Sequence, residues 1–194
     1  MIGDVLVTLK NLLNSHYRTL LSGPSEYIGA DKVEFVEGDL KNDQIPFKLE
    51  AISIILFNIE QEKAFRQVDP YTRISSDGLK AKTQPDLAFN LYLLFVARFT
   101  SYEQGLHYLS LLIKYFQSNN YLDHHNTPGL SEDIDHLILE LFNLSITQQN
   151  ELWGSLRTSY LPSVAYKVKT VIFRTEETLP LTDVAESFNT GKQL

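Results

Sequence analysis

The sequence contains no cysteine among its 194 residues. This absence excludes disulfide bonds, cysteine-ligated zinc, iron–sulfur clusters and thiol nucleophiles, and it fits a reducing compartment. A chain of this length buries roughly 70% of the surface that its extended form exposes, so a hydrophobic core can hold the fold without cross-links. We therefore expect one globular domain.

Long hydrophobic runs and an excess of basic residues are also missing. The longest run without a charged residue, 87–97, has eleven residues, whereas a membrane-spanning helix needs about twenty. We therefore expect no membrane span. No basic region precedes an apolar stretch at the start, so we also expect no secretory signal. Acidic side chains outnumber basic ones by 24 to 17, and the net charge of −7 disfavours nucleic acid as a partner.

The glycines are too scattered for a nucleotide-binding loop. No two of the nine glycines stand two positions apart, so neither the dinucleotide-binding pattern nor the Walker pattern can be written. The segment 23–27 comes nearest to a nucleophile elbow. Tyr27 stands there in place of the second glycine, and the segment follows a predicted helix instead of a strand, so we reject that interpretation.

Candidate metal ligands and catalytic residues are few. Asp123, His124 and His125 lie together in a polar segment, but no further histidine follows at one-turn spacing, so we interpret them as solvated loop residues. The acidic residues within 132–135 are interpreted in the same way, because a hard-cation site needs ligands from several segments. We expect no catalytic residue, no metal and no cofactor. An enzyme with a scattered active site stays open as an alternative.

Three segments carry helix signals. Apolar residues at helical spacing predict an amphipathic helix over 3–21, and the Gly-Pro pair at 23–24 ends it. Thr100 with Glu103, or Ser101 with Gln104, forms a capping box that predicts the start of a second helix, whose apolar residues recur over 102–116. Ser145 with Gln148 forms the capping pattern of a short third helix.

Four apolar segments rich in β-branched and aromatic residues predict strands, namely 48–59, 87–100, 136–142 and 164–173. A weaker alternation over 32–36 indicates a short strand. Lys167 and Lys169 alternate with apolar residues, which is typical of a half-exposed strand. The sequence therefore predicts a single α+β domain, with a mixed or mostly antiparallel sheet of four to five strands and two longer helices packed on it.

Polar segments lie between and after these elements. The segment 60–86 carries five acidic and five basic residues, and loops of this length are usually functional or mobile. We divide the chain into a domain at 1–175 and a polar C-terminal tail at 176–194. Trp153, Tyr160 and Tyr166 are expected to pack within the domain.

Four stretches stand in a familiar order and spacing, namely 54–62 with Arg66, 91–97 with Tyr102 and Leu106, 152–156, and 160–168. This order resembles the tube-terminator, or cap, family of extracellular contractile injection systems. These are the phage-tail-like particles typified by the antifeeding prophage and the Photorhabdus virulence cassette. The similarity covers about residues 3–175 and implies a fold like that of contractile phage tail terminators.

The resemblance implies a structural protein and not an enzyme. The resemblance implies a homohexameric ring that caps the end of the inner tube. The inner tube protein is then the expected partner, and the sheath protein is a further candidate partner. The resemblance also implies assembly in the bacterial cytoplasm as a component of a released or cell-associated contractile particle. A phage-type tail-completion protein that joins tube to head is an alternative built on a similar fold.

Within this resemblance we expect a partner interface at four charged residues, namely Glu60, Arg66, Arg73 and Arg174. The alternative for Glu60 and Arg66 is an intramolecular surface ion pair worth under about 1 kcal/mol. The polar loop and the polar tail are the segments expected to reach neighbours, because extended segments can add a strand to an exposed sheet edge. The tail is expected to become ordered only in the assembly.

Overall fold

A computed structural model describes residues 2–20, 31–36, 45–62, 72–74, 80–83, 87–132, 134–173 and 178–180. These ranges contain three helices and nine strands. In chain order they are α1 (Ile2–Leu20), β1 (Val33–Phe35), β2 (Ala51–Gln61), β3 (Thr72–Ile74), β4 (Lys80–Thr83), β5 (Leu87–Arg98), α2 (Tyr102–Ser118), β6 (Tyr121–Asp123), β7 (His136–Phe142), α3 (Ile146–Ser155), β8 (Ser163–Phe173) and β9 (Thr178–Pro180). In these ranges, none of the helices combines the length and apolar character that crossing a membrane requires.

Six strands form the main sheet in the order β1-β2-β5-β8-β7-β6. β1 runs parallel to β2, and every other neighbouring pair in this sheet is antiparallel. The long strands β2, β5 and β8 are paired side by side at its centre. A smaller antiparallel sheet contains β3, β4 and β9.

The α+β class, the helices and the four strongly apolar strands are confirmed. The main sheet has six strands instead of four to five, because β1 is a true strand and β6 lies in a polar segment that predicted a loop. β3 and β4 lie within 60–86, and β9 lies within the segment expected as a tail. The division at 175/176 itself stays a prediction.

Local capping signals placed the helix starts correctly. The Ser101 side chain accepts a hydrogen bond from the backbone of Gln104 at the start of α2. At the start of α3, Ser145 and Gln148 form the reciprocal capping box. Such caps satisfy backbone N–H groups that have no partner within the first helical turn.

The larger hydrophobic core lies between one face of the main sheet and the helices α1 and α2. Alternate residues of β5 point to this face, since successive side chains of a strand point to opposite sides. Leu91, Leu93 and Phe95 are fully buried there against Leu9 of α1 and Leu112 of α2. The helical spacing of the apolar residues in the sequence reflects this packing.

The opposite face of the sheet carries a smaller core beneath α3. Its buried residues are Phe47, Leu94, Val96, Trp153 and Ala165. Trp153 is 5% exposed, which confirms the prediction that it packs inside the domain. Tyr160 is 60% exposed and only touches the Trp153 ring edge, with centroids 5.5 Å apart. The expectation for Tyr160 is therefore corrected, because this residue lies at the rim of the core.

A buried asparagine joins α1 to the edge strand β1. Asn14 Oδ1 accepts the backbone N–H groups of Lys32 at 2.9 Å and Val33 at 2.8 Å, and Asn14 Nδ2 donates to the Val33 carbonyl at 2.9 Å. β1 has one neighbouring strand among the described residues. The Asn14 amide thus satisfies backbone groups that an edge strand would otherwise leave unpaired.

We expect Asn14→Ala to lower the free energy of unfolding by about 2–4 kcal/mol, because each buried backbone group left without a partner costs about 1–3 kcal/mol. Urea denaturation followed by circular dichroism measures this loss. Ser15→Ala, on the exposed side of the same helix, is the control and should change stability by less than about 0.5 kcal/mol. Equal effects of the two variants would contradict the role of Asn14.

We expect Trp153→Ala to cost about 3–5 kcal/mol of stability, because it removes a large buried side chain and leaves a cavity. Trp153→Phe should cost less, since it keeps a ring and removes a buried indole N–H that has no hydrogen-bond partner among the described residues. Calorimetric unfolding compares the variants. A Trp153→Ala protein of normal stability that fails to assemble would instead place Trp153 at an interface.

Candidate functional site

Glu60 is the one predicted interface residue whose side chain the structure describes. Arg73 lies in β3, of which the backbone alone is described, and Arg66 and Arg174 lie outside the described residues. Glu60 lies near the C-terminal end of β2. The candidate site is therefore built outward from this carboxylate.

A row of polar residues crosses four strands beside Glu60. Asn58, Tyr92, Lys167 and Glu140 are register partners on β2, β5, β8 and β7. Leu94, Ala165 and Phe142 form the adjacent row, two residues along each strand. Because that adjacent row belongs to the smaller core or packs against it, the polar row lies on the same face of the sheet as α3.

Two groups from neighbouring strands hold the Glu60 carboxylate. The Tyr92 hydroxyl donates a hydrogen bond to Glu60 Oε2. Lys167 Nζ lies 3.8 Å from the same oxygen and 5.4 Å from the centre of the Tyr92 ring. Among the described residues Lys167 is thus the ion-pair partner of Glu60, whereas the predicted alternative with Arg66 falls outside them.

The protonation of this cluster follows from its surroundings. Burial, and then the hydrogen bond to Glu60, raise the pKa of Tyr92, although Lys167 acts in the opposite direction. Burial alone would lower the pKa of Lys167, but contacts with Tyr92 and the carboxylates of Glu60 and Glu62 raise it. At neutral pH Tyr92 is therefore a neutral hydrogen-bond donor and Lys167 is a cation.

Further polar contacts extend the cluster along the sheet. Asn90 Nδ2 donates to Glu62 Oε2 at 2.9 Å, while Asn90 Oδ1 is buried and has no hydrogen-bond partner in the part of the chain that the structure describes. Lys169 forms an ion pair with Glu140. Both lysines of β8 therefore lie on the polar side of the strand, which confirms the alternation seen in the sequence.

An open groove lies between this end of the sheet and α3, with a volume of about 540 Å³. Three aromatic rings line it, with centroids 6.0 Å apart for Phe57 and Tyr92 and 4.8 Å apart for Tyr92 and Phe142. Glu60 of β2 and Glu151 of α3 add carboxylates to the lining. We call this feature, defined by these five residues, the aromatic groove.

The remaining candidate residues of the sequence do not assemble into a reactive site in the described part of the chain. Asp123 Oδ1 accepts the backbone N–H groups of Asn126 at 3.0 Å and His125 at 2.9 Å. These hydrogen bonds, foremost that from Asn126, lower the pKa of Asp123. The residue therefore stabilises a turn. No three acidic or histidine side chains within the described ranges are grouped to hold a metal ion.

Sequence reasoning selected Glu60 but missed the residues around it. Tyr92 lies 32 residues further along the chain, and Glu151 belongs to a helix. No local spacing signal connects them, because strand register and the placement of α3 bring them together. The alternation around Lys167 was the single local sign that this face is polar.

The chain matches known proteins in family and in fold. A family described as the Pvc16 N-terminal domain matches residues 4–185. No curated protein matches the sequence. A solved PVC sheath/tube terminator of an extracellular contractile injection system, in the extended state, has a TM-score of 0.59 at 15% identity. The match covers 100% of this chain and 65% of the terminator.

The solved tube-terminating cap of the anti-feeding prophage has a TM-score of 0.48 at 14% identity, over 96% of this chain and 58% of the cap. The chain thus spans less than two thirds of either solved protein. The family match and the terminator-like fold confirm the resemblance and the fold class predicted from the sequence.

We expect Glu60→Gln to lower the pKa of Tyr92 toward its ordinary value, because the variant removes a negative charge that disfavours the phenolate. Burial should still keep this pKa above the ordinary value. Lys167→Met should raise it further, since the ammonium favours the phenolate. Titration of isotope-labelled tyrosine rings by NMR measures both shifts. Glu103→Gln, in the first turn of α2, should leave Tyr92 unchanged, and an equal shift there would refute the local cause.

Proposed function

The chain belongs to the Pvc16 N-terminal domain family, and from this premise we propose that it is a structural cap of a contractile injection system. The observation that carries the proposal is the fold that the whole chain shares with a sheath/tube terminator. The four familiar stretches of the sequence support the same function. All of them lie within the residues that the family match covers.

The physical task of a cap agrees with a protein that binds without catalysis. A tube of stacked rings grows through head-to-tail contacts that do not close, so growth continues until a different subunit occupies the last ring. That subunit needs one surface complementary to the last ring and another surface to which no further ring can bind. The β1 edge supports this function, because the backbone groups of Lys32 and Val33 that Asn14 occupies are not available to another strand.

We extend the proposal to a ring of six copies on the end of the inner tube, which also anchors the last ring of the sheath. In such a ring each subunit contacts its neighbours through two different patches. Glu60, Arg66, Arg73 and Arg174 are proposed for these contacts. Glu60 suits an interface because its side chain is 55% exposed and lines the open groove beside α3. We propose assembly in the bacterial cytoplasm within a released or cell-associated particle.

We expect particles that lack this subunit to carry overlong or ragged tubes, because nothing stops the addition of rings. Electron microscopy of particles from a producing strain with the gene deleted measures tube length and end shape. Resupplying the unmodified chain is the control and should restore uniform ends. Unchanged ends in the deletion strain would contradict the proposed cap. Light scattering of the purified chain adds a second measurement, in which a ring near six times 22.2 kDa, or a monomer that closes into a ring only when tube is added, is expected.

A further inference from the structure

We propose that the aromatic groove binds an arginine side chain presented by a neighbouring protein subunit. This inference deepens the proposed function and rests on it for the identity of the partner, because a cap must hold the subunits around it. The chemical preference of the groove follows from its own residues. Its shape, its rings and its carboxylates together match a planar cation.

The rings provide the surface on which a guanidinium stacks. Phe57 and Phe142 are half-buried and supply this surface, whereas Tyr92 between them is only 7% exposed, with its hydroxyl fixed by Glu60 and Lys167 over its ring. Arginine is planar and more weakly hydrated than lysine, so it loses less hydration when it lies against aromatic faces. A cation above such rings gains about 0.5–1 kcal/mol at exposed sites and more when water is excluded.

The carboxylates provide acceptors for the guanidinium donors. Glu60 uses Oε2 for Tyr92 and Lys167, whereas Oε1 has no hydrogen-bond partner among the described residues. Within the same ranges the Glu151 carboxylate forms neither a hydrogen bond nor an ion pair. A carboxylate accepts about four hydrogen bonds, so the groove has more acceptors than its own donors occupy.

The balance of charge also favours a cationic occupant. Lys167 offsets one carboxylate, but Glu62 lies close enough to raise the pKa of that lysine, and Glu151 adds a further negative charge to the lining. The whole chain carries a net charge of −7, which draws basic surfaces toward it. Lysine fits less well, because its compact ammonium is strongly hydrated and presents no planar fork.

A peptide titration tests this inference directly. Acetyl-Leu-Arg-Leu-amide is added to the full, isotope-labelled chain, and NMR follows the backbone amides. We expect saturable shifts in β2, β5 and α3 around the aromatic groove. The same peptide with norleucine in place of arginine should produce none of them. Equal binding of the arginine and lysine peptides would overturn the assignment of a guanidinium.

Charge-matched variants separate the groove from general electrostatic attraction. Glu60→Gln and Glu151→Gln should each weaken arginine-peptide binding about five- to tenfold, because the amide keeps an acceptor oxygen but loses the charge that roughly doubles the strength of the hydrogen bond. Glu103→Gln makes the same change in net charge on α2, which packs on the other face of the sheet, and should leave binding unchanged. Equal weakening by all three variants would overturn the inference. Thermal unfolding verifies that each variant is folded.

A self-assembled ring would place a neighbouring arginine in the groove and block the peptide. In that case Glu60→Gln and Glu151→Gln should dissociate the ring in light scattering, and Glu103→Gln should not. A chain that neither binds the peptide nor loses its ring in these variants overturns the inference. This result would leave the tube-end experiment untouched, because tube length reports the cap function and not the occupant of the groove.

Discussion

The burial of β5 on both faces is the constraint on which the rest of the structure depends. This strand pairs with β2 on one side and β8 on the other, and its residues alternate between the two hydrophobic cores. A strand buried in this way needs a nearly continuous run of apolar side chains and cover on both faces. The helices α1 and α2 cover one face, and α3 covers part of the other.

The candidate site arises where the second face of β5 becomes polar. Along this face, β5 changes from Val96 and Leu94 to Tyr92 and then to Asn90, which are still buried at 7% and 1% exposed. Polar groups at such a boundary require hydrogen-bond partners, because burying them without partners is costly. Glu60, Glu62 and Lys167 supply those partners from neighbouring strands. The same change in polarity leaves the aromatic groove open beside α3.

The edge at β1 and the groove divide the tasks that the proposed cap requires. At the edge, the Asn14 amide forms the hydrogen bonds that the backbone of a second neighbouring strand would form with β1. That arrangement satisfies backbone groups of Lys32 and Val33 within the chain and leaves fewer of them for a neighbouring strand. The groove has the opposite character, since carboxylate acceptors there face open space beside aromatic rings. The β1 edge therefore limits pairing with a further strand, whereas the aromatic groove is suited to hold a partner.

The amino-acid sequence by itself determined the elements whose signals are local. Helical spacing, the caps at Ser101 and Ser145, the apolar strands and the alternation around Lys167 all depend on residues a few positions apart, so one chain reveals them. Trp153 was placed correctly because a large aromatic side chain is usually buried. The four familiar stretches, taken in their order along the chain, also identified the family without reference to any contact.

Only the tertiary structure decided the order of the strands, the short strands and the site. β3, β4, β6 and β9 contain three or four residues each, too few to show a period, and backbone pairing with other strands defines them. The contact of Tyr92 with Glu60 depends on the register of β2 against β5, and the position of Glu151 depends on the packing of α3. These are non-local interactions, and no spacing within a single sequence encodes them.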